Sequence, residues 1–328
     1  MAFAIHLNTY CVNSLSVTPA NPPAHRPVVT VVLATYNGER FLPEQLASLA
    51  GQTHPPERLV LRDDGSSDGS VQIVRAWAQH AGVALQEVGG PRLGPARSFL
   101  TALQAAEPAD LYLFCDQDDV WKPDKIERAL GLVPWGEEAP PALCATRLEV
   151  VDAQLGFLRL SALPRRLSFA SASCESLLTG CTMAFNRAFR DLLVRALPEQ
   201  AAMHDWWCYL LASGAQGAAL YFDPTPTVLY RQHGANALGA GPRGWSALLA
   251  RLRRFAGPDS AMRSRQLDEF ARLHGSALAP HACAVLDPLL AAKRGWGPRL
   301  RAAVAAPIRR QSLLATLATR LSLLTNRF

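Results

Sequence analysis

Asp116-Gln117-Asp118-Asp119 follows an apolar run, Leu111–Cys115. In extended backbone, side chains two apart point the same way, so Asp116 and Asp118 can face one ion. Carboxylate oxygens suit Mg²⁺ or Mn²⁺, and an ion with few protein ligands keeps positions open for phosphate oxygens. A metal bridging two phosphates neutralises the charge on a departing diphosphate. The same four residues also read as an acidic turn, or as an N-cap ahead of a helix over Lys122–Leu132. Thr35-Tyr36-Asn37-Gly38 offers a ring that can stack on a base and polar groups for base or ribose, or is an Asn-Gly turn. Asp63-Asp64-Gly65-Ser66-Ser67-Asp68 can accept from such groups or cap a helix, with Asp68 read as structural. Asp205 is a general base or an N-cap at the start of the Trp-rich segment His204–Ser213. His233 is a metal or phosphate ligand or a plain polar contact.

These groups need elements to hold them. Val28–Thr35 is a near-continuous apolar run, the pattern of a strand covered on both faces. Helix over Phe41–Ala50, strand over Arg58–Leu61, helix from Asp68 to about His80, helix over Ala96–Ala105 and strand over Leu111–Cys115 follow in turn. That order implies βαβ units and a doubly wound parallel sheet. Ligands bind beyond the carboxyl ends of such strands. Thr35-Tyr36-Asn37, Asp63-Asp64 and Asp116–Asp119 all stand there. Further along, Leu143–Val151 and Gly180–Asn186 read as strands, and Pro224–Tyr230 leads into the loop Arg231-Gln232-His233-Gly234-Ala235-Asn236.

Bulk properties set limits. The 328 residues are 49% hydrophobic and 18% charged, which excludes wholesale disorder. Residues 241–328 hold 15 Lys and Arg against 4 Asp and Glu, and residues 1–240 hold 18 against 23. A basic tail on a slightly acidic body implies an anionic contact for the tail. Leu, Phe and Trp interleave with Arg over Trp245–Phe255 and Ile308–Leu324, as in helices that lie on anionic membranes or pack on their own domain. No recognition motif accompanies the charge, so nucleic acid is not expected. The seven cysteines are odd in number, widely spaced and lack a C-x-x-C pair, which reads as buried thiols in a reducing compartment. Met1–Arg26 lacks a signal-peptide pattern and no apolar run is long enough to span a bilayer. The expected place is the cytoplasm, including the inner face of the plasma membrane.

Several segments taken in order resemble one family: VVLATYNGERFLPEQLASLAGQT, VLRDDGSSDGS, GPARSF, YLFCDQDDVWKPDKIE, LTGCTMAFNR, HDWW and YRQHGANALG. Together they resemble family 2 glycosyltransferases of GT-A fold, in the rhamnosyltransferase-like branch of bacterial surface-polysaccharide enzymes. The resemblance spans about Val28 to Gly239. It implies an α/β fold with a doubly wound, mostly parallel sheet and a C-terminal helical appendage. The expected organisation is a loose leader (1–26), a GT-A domain (27–240) divided into a nucleotide-sugar half (27–120) and an acceptor half (121–240), and a basic helical tail (241–328).

The resemblance also implies roles. Tyr36 would stack on uracil or thymine, with Thr35 and Asn37 beside it. Asp63 and Asp64 would contact base and ribose, and Arg97 would lie near the diphosphate. Asp116, Gln117 and Asp118 would bind donor and Mn²⁺ or Mg²⁺, with Asp119 as an extra acid and His233 as a further ligand. Asp205 would be the base of an inverting displacement, preceded here by His204 where the family usually has an acid. Trp206 or Trp207 would meet the acceptor, and Arg231 and Gln232 would close the site. The donor would be dTDP- or UDP-linked and the acceptor a glycan or a lipid-linked sugar. The Q-x-x-R-W motif of processive members does not occur, which implies transfer of one or few sugars. A sugar-phosphate nucleotidylyltransferase and a non-catalytic nucleotide-sugar binder remain as alternatives. The glycine loops G-x-x-x-R of the former and G-x-G-x-x-G of dinucleotide oxidoreductases do not follow the first strand.

Overall fold

A computed structural model of the chain describes residues 25–233 and 258–325. Most of the leader, the loop Gly234-Ala235-Asn236 and the segment Trp245–Phe255 lie outside the described residues. Strands β1 (Val29–Thr35), β2 (Arg58–Asp63), β3 (Ala84–Glu87) and β4 (Leu111–Asp116) pair in parallel, in the order β3-β2-β1-β4. β1, β2 and β4 are buried along nearly their whole length because both sheet faces are covered. Helices α1 (Leu42–Ala50) and α2 (Ser70–Ala81) bury Leu42, Leu46, Leu49 and Val74 in one core layer. Helix α3 (Pro95–Ala105) buries Phe99, Leu100 and Leu103 in the other.

Beyond β4 the sheet becomes mixed. β8 (Ala184–Asn186) runs antiparallel between β4 and β6 (Ala142–Val151). β9 (Ala219–Arg231) runs parallel to β6, and the two-residue β5 (Val120–Trp121) pairs antiparallel with its end. β7 (Phe157–Leu160) pairs only with β6. Pro224 and Pro226 lie inside β9, where a strand needs donors. Register shifts between Thr146 and Leu148 of β6 take up the interruption, so the segment expected to lead into a loop is a long strand.

Helices α4 (Lys125–Leu132), α5 (Phe169–Ala172), α6 (Arg187–Val194) and α7 (His204–Gly214) complete this half. The chain then continues through α8 (Pro258–His274), α9 (Pro280–Ala291), α10 (Trp296–Ala305) and α11 (Leu313–Leu324). Phe270, Leu286, Leu289, Ala302 and Leu323 share one core with Phe99, Phe114 and Trp207. The described part of the basic tail is therefore packed on the α/β unit. Among the described residues no helix is long and apolar enough to cross a membrane. Six cysteines fall in the described residues. All are free thiols, and five of them are buried.

Candidate active site

Strand register brings the polar strand ends together. Thr35 stands opposite Asp63 and Ala34 opposite Asp116. Tyr36-Asn37, Asp63-Asp64 and Asp116–Asp119 therefore leave the sheet at one edge, the carboxyl side. Thr35 Oγ1 donates to Asp63 Oδ1 at 2.9 Å. Burial pushes the Asp63 carboxyl up, but hydrogen bonds from Ser66, Thr35 and Gly65 outweigh it and leave it below its ordinary value.

Gln117 fixes the loop that carries Tyr36. Its Oε1 accepts from the Tyr36 N–H at 2.8 Å and its Nε2 donates to the Tyr36 carbonyl at 3.1 Å. Gly38 makes room for this clasp: a Cβ there would lie 2.3 Å from Gln117 Oε1. Asn37 takes φ 50°, and its Oδ1 accepts from the Ser67 N–H at 2.8 Å, joining two loops. The Tyr36 ring faces outward, 40% exposed, with the Arg92 guanidinium 3.9 Å from its centroid. Nothing local in the sequence marks Arg92 as a partner of Tyr36.

The role expected for Asp64 in base or ribose contact does not fit. Its carboxylate is buried and accepts from the N–H groups of Leu93 and Gly94 and from Ser98 Oγ. It ties down the loop that leads into α3 and, through Ser98, the first turn of that helix. Arg97 is exposed in the first turn of that helix, with no ion-pair partner among the described residues.

Asp118 Oδ2 lies 2.8 Å from His233 Nε2. The His233 ring also stacks on Phe41, with centroids 4.5 Å apart. Asp116 faces the same acidic ground. Burial pushes its carboxyl well above the ordinary value, with Asp119, Asp118 and Asp205 adding repulsion. No donor among the described residues reaches the Asp116 side chain. Carboxylates crowded at a strand mouth beside an imidazole are what a divalent cation relieves. Asp118 and His233 offer such an ion one hard oxygen and one borderline nitrogen, while the three ligand atoms that lie within 4.8 Å of one another among the described residues are those of Asp116, Asp119 and Cys181.

Asp119 stands behind this group and not in the cleft. It is fully buried, its Oδ1 accepts from the Arg231 N–H at 3.1 Å, and the Cys181 thiol hydrogen-bonds to it. Burial and the neighbouring Asp118 push its carboxyl up. Asp119, expected as an extra acid of the site, is thus a buried group that braces Arg231. Beneath it, Lys125 is buried with its Nζ 4.7 Å from the Trp121 ring centroid, and desolvation lowers its pKa.

Arg231 is buried and works as a staple. Its Nε donates to the Asp118 carbonyl at 2.9 Å and its Nη1 to the Ala153 carbonyl at 2.7 Å, and it pairs with Glu44 of α1. Its guanidinium carbon lies 5.0 Å from the Phe41 ring centroid. The N–H of Gln232 donates to the Val151 carbonyl at 2.9 Å, extending the β6–β9 pairing by one residue.

Asp205 occupies the first turn of α7 and is 7% exposed. Its Oδ2 accepts from the Gly180 N–H at 3.1 Å, and its Oδ1 from the Trp206 N–H at 2.6 Å. Burial raises its pKa to about 6, against those bonds. His204 is not at the acceptor side. Its ring lies between Phe99 and Phe114, at centroid distances of 4.1 and 4.8 Å, and neither ring nitrogen has a partner. Burial drives its pKa down to about 3. Gly180 admits this ring, since a Cβ there would lie 2.3 Å from His204 Nε2. Trp207 is fully buried against Phe270 and His274, which removes it from acceptor contact. Trp206 is half-buried, and its Nε1–H donates to the Ala172 carbonyl at 2.6 Å.

Strand-end acids and a clasped outward tyrosine thus stand at the carboxyl edge of a doubly wound sheet, where such folds bind ligands. Residues 30–190 match the family model described as glycosyl transferase family 2, and the chain carries a domain of that family. It is 26% identical over 218 residues to the dTDP-rhamnosyl transferase RfbG of Shigella flexneri, covering 63% of this chain and 74% of that protein. It is 30% identical over 110 residues to the putative teichuronic acid biosynthesis glycosyltransferase TuaG of Bacillus subtilis, or 32% of this chain and 41% of that one. The S. aureus TarS structure, residues 1–349 with UDP-GlcNAc, shares the fold at a TM-score of 0.52 and 16% identity, covering 92% of this chain and 89% of that one.

Proposed function

We propose that the chain transfers one sugar, with inversion, from a nucleotide-diphosphate donor to a hydroxyl of a glycan or lipid-linked acceptor in polysaccharide synthesis. The observation that carries this reading is the meeting of Asp118 and His233 at 2.8 Å, beside an Asp116 whose carboxyl is pushed up by burial and then by Asp119, Asp118 and Asp205. In this reading donor and base residues share one acidic mouth.

Tyr36 stacks on the base once Arg92 shifts or sandwiches it, and Thr35, Asn37 and Asp63 bond base or ribose. Gln117 holds the Tyr36 backbone in place. Asp118 and His233, with Asp116, would hold Mn²⁺ or Mg²⁺, which when bound would supply charge neutralisation for the diphosphate. Arg97 adds a fixed positive charge. Asp205 takes the proton from the acceptor hydroxyl as that oxygen bonds to the anomeric carbon. The bond from that carbon to the phosphate oxygen breaks, and its electron pair leaves with the diphosphate. With a pKa raised to about 6, Asp205 is ionised at neutral pH and remains a stronger base than an ordinary carboxylate. Trp206 lies next to the base on the acceptor side. In this reading residues 27–120 form the donor half and 121–240 the acceptor half, and the enzyme works in the cytoplasm.

The name of the RfbG relative supports dTDP-rhamnose as donor. A thermal-shift titration with dTDP, UDP, GDP, CDP and NAD, each with Mn²⁺ or EDTA, tests the reading. A ligand that binds only the native state raises the midpoint. A metal-dependent shift with dTDP or UDP is expected. A shift with NAD alone, or none with any diphosphate, would overturn it.

A further inference from the structure

A second surface is apolar, basic and uncovered among the described residues. β7 shows both of its faces to solvent: Phe157, Leu158 and Leu160 are exposed, and Leu163 follows them. An edge strand with apolar side chains outward is normally blunted or covered. On α10, Trp296, Leu300 and Val304 are exposed at steps of four, which is one stripe of a helix. On α11, Leu313, Leu317 and Leu321 repeat that step, with Leu313 85% exposed. Single exposed leucines need no account, but a strand and two helical stripes do.

The pieces adjoin. The Arg165 N–H donates to Gln311 Oε1 at 2.6 Å, and Gln311 Nε2 donates to the Arg166 carbonyl at 2.9 Å. The chain just beyond Leu163 is thus tied to the residue before Ser312, the N-cap of α11. Arg320 of α11 donates to the Val304 and Ala306 carbonyls at 2.9 and 3.1 Å, which ties it to the end of α10. Within these segments the charge is of one sign, and the acid that touches them, Glu175, is paired with Arg310. Residues 153–174 contain Arg159, Arg165 and Arg166 and no acid, and residues 288–325 contain seven Lys and Arg and no acid. Arg294, Arg301 and Arg309 are exposed, with no ion-pair partner among the described residues. The surface also begins next to the site: Ala153, four residues before Phe157, accepts from the same Arg231 that holds the Asp118 carbonyl.

We propose that this surface docks the protein peripherally on an anionic lipid bilayer. The leucines and Trp296 enter the boundary between headgroups and acyl chains, and the arginines meet lipid phosphates. A second protein would have to match a predominantly basic rim, whereas an anionic headgroup layer matches it without a shaped partner. The docking stands on this geometry alone. Its use, presenting the site to a lipid-linked acceptor hydroxyl, rests on the proposed function.

The test is co-sedimentation of the full chain with vesicles of phosphatidylcholine alone or mixed with phosphatidylglycerol. Binding to the mixed vesicles only, weakened by salt, is the expected result. Leu313→Ser/Leu317→Ser and Arg301→Glu/Arg309→Glu variants lose that binding, the second by about 25-fold or more from two surface arginines. Their nucleotide-induced thermal shift stays that of the parent, which shows the fold is kept. No binding to the mixed vesicles, or undiminished binding by both variants, overturns the proposal. So does a concentration-dependent dimer that Leu313→Ser/Leu317→Ser makes monomeric, because the surface then belongs to a second copy. Vesicle binding without any nucleotide shift would instead sink the donor-site reading and leave this one standing.

Discussion

His233 Nε2 and Asp118 Oδ2 lie 2.8 Å apart, although 115 residues separate them in the chain. The stacking of His233 on Phe41 and the anchoring of Arg231 on the Asp118 carbonyl set that distance. Asp118→Ala and His233→Ala each lower the affinity for dTDP or UDP in Mn²⁺ by about 10–100-fold, the range for loss of one metal-site group. Calorimetry with and without EDTA reads this. Equal affinity in parent and variants would remove the pair from the donor site.

Asp205→Asn keeps the shape of the side chain, gives up one of its two accepted backbone hydrogen bonds and removes its basicity. Transfer falls by at least about 100-fold, the low end for a general base, while nucleotide binding is kept. In the parent enzyme the rate follows the ionised form of a group titrating at about 6. Activity is therefore full above that pH and falls about ten-fold per unit below it. A flat profile down to pH 5, or an active Asn variant, would exclude Asp205 as the base.

Gly38→Val places side-chain carbon against Gln117 Oε1, where even a Cβ would lie at 2.3 Å. The clasp on Tyr36 opens and the loop shifts. We expect a loss of about 1–3 kcal/mol in stability, as for overpacking, together with weaker donor binding. Denaturant melts and nucleotide titration measure the two effects, and an unchanged donor affinity would show that the clasp does not position Tyr36.

His204 gives a pH effect on stability. Its folded pKa is lowered to about 3 from 6.5. The unfolded chain takes up the proton first, so stability is kept above pH 6.5 and is lost as pH falls below it. Asp205 acts the other way, since a raised folded pKa makes the native state bind a proton between 3.8 and about 6. His204→Leu should therefore lose less stability than the parent between pH 6.5 and 5. Melting curves at several pH values check this, and parallel pH dependence in the two proteins would refute it.

The donor side of the site was legible in the sequence because its groups stand at ends of strands whose apolar runs are local and continuous. Thr35, Asp63 and Asp116 could be aligned before the register was known. The acceptor side was less so. His204 and Trp207 read as cleft residues because a polar or aromatic side chain near Asp205 carries no mark of which face of α7 it occupies. Asp64 and Asp119 read as site acids because they adjoin Asp63 and Asp118, and only tertiary donors show that one ties down a loop and the other braces a strand end. Arg92 over Tyr36, and Glu44 and Phe41 around Arg231 and His233, depend on contacts between distant segments.

The bond between Arg231 and Glu44 joins residues 187 positions apart. It makes the site a late product of synthesis. The strands β1 to β4 emerge and can pair while the ribosome is still making β6, but Asp118 has neither its backbone anchor nor its imidazole until residue 233 is out. Contacts of such separation form slowly because the intervening loop must first be closed. On the proposed function, a nascent chain therefore stays unable to hold its donor until nearly all of the α/β unit exists.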